Sequence, residues 1–345
     1  MPKTQNRAVM IWIYIFVAFA AFLVVFGGFV RLTRSGLSIV EWNPVYGAVP
    51  PLSQQDWQTE FAKYQLTPEY IKVNSGMTLD QYKVIFLLEW FHRFVARFAG
   101  LIFAIPFFVF FFKKTIPWKE IWLYVVLGFL FLAQAIMGWY MVSTGLEDRP
   151  SVSHYALTAH LFLALTLIGL SLWTAFGHRF GFPDGKAKWS TASRIVAAGL
   201  FVLLIQIAYG GFTAGLKAGH ISDTWPLMLG QLIPRGLLSQ VEPPLLNLID
   251  APATVVFIHR WFAFAGLIAA VWIYWQIRKQ NFPAEVMKGI NLVLVLVLTQ
   301  IVLGILVILY HVDIPLALLH QANALALFAA TIYVLHRLRA ADARI

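Results

Sequence analysis

The sequence predicts an all-α integral membrane protein, with eight transmembrane helices arranged as two repeat-related four-helix bundles. Three observations carry that prediction. Of 345 residues, 60% are hydrophobic and 12% charged, too little polar surface for a water-soluble fold. Eight apolar stretches are each long enough to cross a bilayer, which takes roughly 20 residues as helix. The motifs of the first half also return, in order, in the second.

Six runs are free of charge: 9–30, 121–142, 156–176, 195–215, 289–310 and 314–335. Two more, 84–112 and 251–277, carry charge inside them. The first run is too long for a cleaved signal peptide, and Gly27-Gly28-Phe29-Val30 is a poor small-x-small cleavage site, so it reads as a retained helix. No Arg- and Ser-rich transit segment precedes it, which points to a bacterial plasma (inner) membrane. Loops on the N-terminal side hold most of the Lys and Arg and few acids; the opposite loops hold more acids than bases. By the positive-inside rule both termini are cytoplasmic. The same bias accounts for the net charge of +10 without a nucleic-acid partner. With no cysteine, disulfides, thiolate metal sites and iron–sulfur clusters are excluded.

The internal repeat sets the domain organisation. Gly27-Gly28-Phe29 returns as Gly210-Gly211-Phe212, and Phe91-His92-Arg93-Phe94 as Ile258-His259-Arg260-Trp261. Gln134 and Gly138 correspond to Gln300 and Gly304, and His160 to His320. The halves are 1–177 and 178–345, each with four helices in the same orientation. Each has a long outer loop, 31–83 and 216–250, and loops of that length are usually lids or binding surfaces. A short amphipathic helix is expected over 53–64.

Of the 9 histidines, His92, His160, His259 and His320 lie in even-numbered spans, each expected within about two turns of the outer end. An ionisable side chain at that depth normally faces the bundle interior with a partner. Two imidazoles from neighbouring antiparallel helices are the axial ligands of a six-coordinate haem. Ala96, Ala99, Gly100, Ala263, Ala265 and Gly266 would let a flat macrocycle lie close to the backbone. The bland alternative is histidines acting as hydrogen-bonded glue between helices.

The second span carries more than a ligand. Glu89 and His92 share a helix face, so a carboxylate beside a haem edge can accept a proton or position water. The alternative is an ion pair from Glu89 to Arg93, one turn on. Arg93, Arg97 and Arg260 are candidates for haem propionates, which the guanidinium fork suits. Arg31 and Arg34 lie near a helix end where propionates would emerge. Val256 stands where the second half would need a counterpart of Glu89. That asymmetry suggests chemistry in one half and a held haem in the other.

These residues resemble the haem A synthase family, over almost the whole chain. The resemblance rests on the run from Gly27 to Ser38, Glu41-Trp42-x-Pro44, Pro50-Pro51-Leu52, Ser75-Gly76-Met77-Thr78, Glu89-Trp90-x-His92-Arg93 and Ala159-His160-Leu161. The second half adds the run from Ala214 to His220, Thr224-Trp225-Pro226-Leu227-Met228, His259-Arg260 and His320-Gln321. It implies oxidation of a methyl group of haem O to a formyl group, through a hydroxymethyl stage, giving haem A for terminal oxidases. It also implies a resident haem b on His259 and His320, the substrate porphyrin on His92 and His160, and Glu89 at the reacting edge. His220, in a matching motif, joins the candidates for propionate or loop contact. Two departures stand out: the loop cysteine pair of some relatives is missing, and Leu229 replaces an acid found in many of them.

Other readings of the same histidines are a bis-histidine b-type cytochrome, or a haem transporter or chaperone. The first leaves Glu89 unexplained, and the second fits poorly with ligands near one face. Besides haem O and lipid, haem O synthase and oxidase assembly proteins are the expected partners.

Overall fold

A computed structural model of the chain describes residues 6–43, 46–147, 150–280 and 282–342. The described residues are helical and contain no strand. The helices are α1 (Arg7–Leu32), α2 (Gln54–Gln65), α3 (Pro68–Lys72), α4 (Leu79–Phe112), α5 (Ile121–Ser143), α6 (His154–Phe180), α7 (Thr191–Gly215), α8 (Asn247–Asp250), α9 (Pro252–Arg278), α10 (Ala284–Leu309) and α11 (Ile314–Asp342). All but α2, α3 and α8 are long and apolar enough to cross a membrane. Phe22, Phe98, Leu101, Phe129, Trp272 and Val295 are exposed along them. An apolar surface of that extent is a lipid-facing one.

The chain divides into two compact units, Ile15–Ile168 and Met1–Tyr14 with Gly169–Ile345. The divisions fall inside α1 and α6. In the unit formed largely by the second half, α10 packs along α11 and α9, and α7 along α9 and α11. Ile273, Ile277, Ile290, Val334 and Leu338 fill the core between them. Its last helix is tied down at the end: the Arg339 guanidinium and the Ser193 hydroxyl both donate to Asp342 Oδ2, each at 2.7 Å. Arg339 also donates to the carbonyl of Ala187 at 3.1 Å.

In the other unit the first outer loop is folded rather than slack. Ser53 caps α2 in a reciprocal box with Asp56, close to the helix read from the sequence over 53–64. Hydrogen bonds from Ser53 hold the Asp56 carboxyl below its usual range. Tyr64, Tyr82 and Phe86 form a buried aromatic cluster beneath the loop.

One boundary differs from expectation. The second span was read from residue 84, but α4 starts at Leu79, set by the Thr78 cap and its box with Gln81. His92 therefore sits 13 residues beyond the first residue of its helix. That is nearly four turns rather than about two. The polar first turns of α4 extend outward past the apolar stretch to meet the loop.

Candidate functional site

Each of the four span histidines rests against a glycine of the preceding span. A Cβ built on Gly27 would stand 3.2 Å from the His92 ring, and one on Gly138 3.0 Å from His160. In the other unit the distances are 3.2 Å from Gly210 to His259 and 3.0 Å from Gly304 to His320. Any larger residue at these positions would push the imidazole aside. In three cases a glutamine one turn before the glycine also reaches the ring. Gln134 Nε2 lies 3.2 Å from His160 Nε2, and Gln206 Nε2 lies 3.1 Å from His259 Nδ1. Gln300 Nε2 lies 3.2 Å from His320 Nε2. The fourth case differs: Leu23 occupies the glutamine position, and its backbone carbonyl stands 3.3 Å from His92 Nε2.

His259 and His320 face one another with ring centres 6.4 Å apart and planes at 83°. Two imidazoles sharing one metal through bonds of about 2 Å place their ring centres roughly 6 Å apart. The ring separation of the pair matches that of two imidazoles on one metal. Among the described residues no group of three or more His, Asp or Glu is placed to hold a metal ion.

Glu89 is 3% exposed and fully engaged. The Ser38 amide and hydroxyl donate to Oε2 at 2.8 and 2.7 Å, and the Ile39 amide at 3.0 Å. Arg93 donates to Oε1 at 2.6 Å, so the ion pair weighed above is made. The same guanidinium donates to the Ile39 carbonyl at 3.3 Å and lies over the Trp42 ring at 5.7 Å. Arg97 donates to the Asn43 carbonyl at 3.0 Å. A small cleft lined by Ile39, Trp42, Arg93, Trp139, Ser143 and Leu146 opens beside these contacts. The loop partners of Arg93 and Arg97 are thus residues 39–43.

Comparison with known proteins settles the family. A sequence profile of the cytochrome oxidase assembly protein family matches residues 10–332. The chain belongs to that family. Among proteins similar to it is a haem A synthase of Wolbachia sp. subsp. Brugia malayi, 40% identical over 341 residues, 98% of this chain and 99% of the relative. A haem A synthase of Nitrosospira multiformis is 42% identical over 343 residues, covering 97% and 94%. One of Maricaulis maris is 40% identical over 336 residues, covering 96% of each. Together with its eight apolar helices, membership of the cytochrome oxidase assembly protein family makes this a multi-pass membrane protein.

In this member of the cytochrome oxidase assembly protein family the second outer loop is held in a similar way to the first. Arg260, next to His259 as Arg93 is next to His92, donates to the Ser222 carbonyl at 2.7 Å and the Thr224 carbonyl at 3.2 Å. Fully buried Asn247 organises the rest. Its Oδ1 accepts from the amides of Gln240 and Val241, both at 2.9 Å, and its Nδ2 donates to the carbonyls of Leu238, Val241 and Pro244. Exposed Leu229 takes a left-handed turn with φ 53°. Arg31 lies in the last turn of α1, Arg34 is exposed just beyond it with φ 53°, and His220 is exposed in a short helical turn, Ala218–His220. Asn247, Gln206 and the pairing of glycine with histidine were not foreseen. The spacing Gln-x-x-x-Gly at 134, 206 and 300 was the available signal. Of the small residues expected to line a macrocycle, Gly100 instead faces the Phe131 ring, at 3.0 Å from a built Cβ.

Proposed function

We propose that this chain is a haem A synthase that oxidises a methyl group of haem O to a formyl group by way of a hydroxymethyl stage. The observation that carries the reading is similarity over nearly the full length to proteins of that name, at about 40% identity. His259 and His320 would hold a resident haem b, whose chemistry when bound is electron transfer. Their facing rings, 6.4 Å apart, support that assignment. His92 and His160 would ligate the substrate porphyrin, and Glu89, on the helix face of His92, would accept protons released from the reacting carbon. Arg31, Arg34 and His220 are proposed to meet propionates at the outer ends of the spans.

The chain would lie in a bacterial inner membrane with both termini in the cytoplasm, receive haem O from a haem O synthase and serve oxidase assembly proteins. The halves 1–177 and 178–345 would act as substrate half and electron-carrying half.

The test is co-expression with a haem O synthase, followed by mass analysis of the extracted porphyrins. Haem A and hydroxylated haem O are the expected products. Haem b alone would mean an electron carrier instead. Protein made without haem O should show a low-spin b-type spectrum that His259→Met disturbs.

A further inference from the structure

The four histidine sites are alike in their glycine and unlike in what holds the ring. His160, His259 and His320 each have a glutamine amide at the imidazole, whereas His92 has a main-chain carbonyl of α1. The difference is chemical. An amide carries both a donor and an acceptor and can swing with the ring. A helix carbonyl only accepts, is fixed in place, and already serves the helix's own ladder. The contact at His92 falls on Nε2 at 3.3 Å, as those at His160 and His320 fall on Nε2 at 3.2 Å, so what sets His92 apart is the fixed carbonyl and not the ring atom it meets.

The amides are themselves held to different degrees. Gln300 Oε1 accepts from Asn323 at 2.6 Å, and Asn323 also donates to the Leu296 carbonyl. Gln206 Nε2 donates to the His259 carbonyl at 3.0 Å. The Oε1 atoms of Gln134 and Gln206 are buried without a hydrogen-bond partner. Such orphaned acceptors are what an imidazole N–H requires once its other nitrogen is committed to a metal.

We propose that Gln206 is a positioning residue that locks His259 on one porphyrin, while Leu23 leaves His92 as the weakly anchored ligand through which the other porphyrin is exchanged. This rests on the ligand assignment made above. It gives that assignment a direction: a substrate must arrive and a product leave, so one site needs a ligand that lets go. A retained haem needs none.

The experiment measures haem loss to apomyoglobin from the full-length protein in detergent, one sample carrying haem b alone and one also loaded with haem O. Loss of a metal-bound histidine's outer partner typically costs 10–100-fold in affinity, so Gln206→Leu should speed loss of haem b by about 10-fold or more. It should also change the low-spin electron paramagnetic resonance signal, which reports imidazole orientation. Leu23→Gln should slow loss of haem O by a similar factor, with the haem b signal untouched. Gln206→Glu keeps an acceptor at the ring, so it should retain haem b and lower its midpoint potential. It serves in place of Gln206→Leu should that variant fold poorly. Unchanged loss rates and signals in the glutamine variants, together with unchanged haem O loss in Leu23→Gln, would overturn the proposal. His259→Met and His92→Met separate the two levels. If they leave both haems in place with unchanged low-spin spectra, the ligand assignment fails; if they release the haems or alter those spectra while the other variants do nothing, only the present inference fails.

Discussion

Glu89 and Ser38 are 51 residues apart in sequence and joined by two hydrogen bonds, 2.8 Å from the Ser38 amide and 2.7 Å from its hydroxyl. With the Ile39 amide and Arg93 they give one buried carboxylate four donors. Glu89 therefore anchors the start of the first outer loop to α4, three residues from His92. Any proton it accepts must come at the expense of that anchoring.

Two substitutions separate these roles. Glu89→Gln keeps the size, but its NH2 must confront a donor whichever way the amide turns. A lost general base costs on the order of 10²–10⁴ in rate, so haem A yield per folded protein should fall at least that far. Ser38→Ala removes one donor and spares the carboxylate; its yield should fall only several-fold. Mass analysis of porphyrins measures both, and equal losses would restrict Glu89 to anchoring.

Gly304→Ala would place a methyl group 3.0 Å from the His320 ring, and Gly210→Ala one 3.2 Å from His259. Alanine favours helix over glycine by about 1 kcal/mol, so protein level should hold or rise while haem b content drops. Absorbance of the b-type band per mole of protein decides.

Arg260→Ala should release the second outer loop. Hydrogen bonds to charged groups contribute on the order of 1.5–3 kcal/mol each, and two are lost. Limited proteolysis should then cut within 216–250 at least ten times faster than in the parent. Arg260→Lys, with a single point charge in place of the fork, should recover only part of the protection.

Asn247→Asp changes two atoms' chemistry and little volume, yet it turns a donor to three carbonyls into a further acceptor. Each buried polar group left unpaired costs about 1–3 kcal/mol. The variant should unfold at a clearly lower temperature than the parent, and below Asn247→Ser, whose hydroxyl can still donate once. Thermal unfolding followed by tryptophan fluorescence tests the order.

Hydropathy was enough to find the spans, because lipid imposes one simple demand on every residue it touches. It misplaced the start of α4, since Leu79-Asp80-Gln81-Tyr82-Lys83 is polar; the signal there was the cap at Thr78. The histidines stood out because their residue type is costly at depth. The arginine contacts did not, because their partners at Ile39, Asn43, Ser222 and Thr224 are backbone carbonyls, which carry no residue identity. Gln134, Gln300 and the glycines were visible as repeats, but a repeat states equivalence and not contact. Gln206 lies in an unremarked stretch of α7, and only the facing of α7 and α9 brings it to His259.

The tie between Ser193 and Asp342, 149 residues apart, has a consequence for biogenesis. His320 lies on α11, made after the helix of His259, and that same helix carries the Arg339 and Asp342 fastening. The unit also includes the start of α1, up to Tyr14. On the proposed ligation, a nascent chain stalled before α11 would carry His259 without its facing partner, and haem b could load only once α11 has been made.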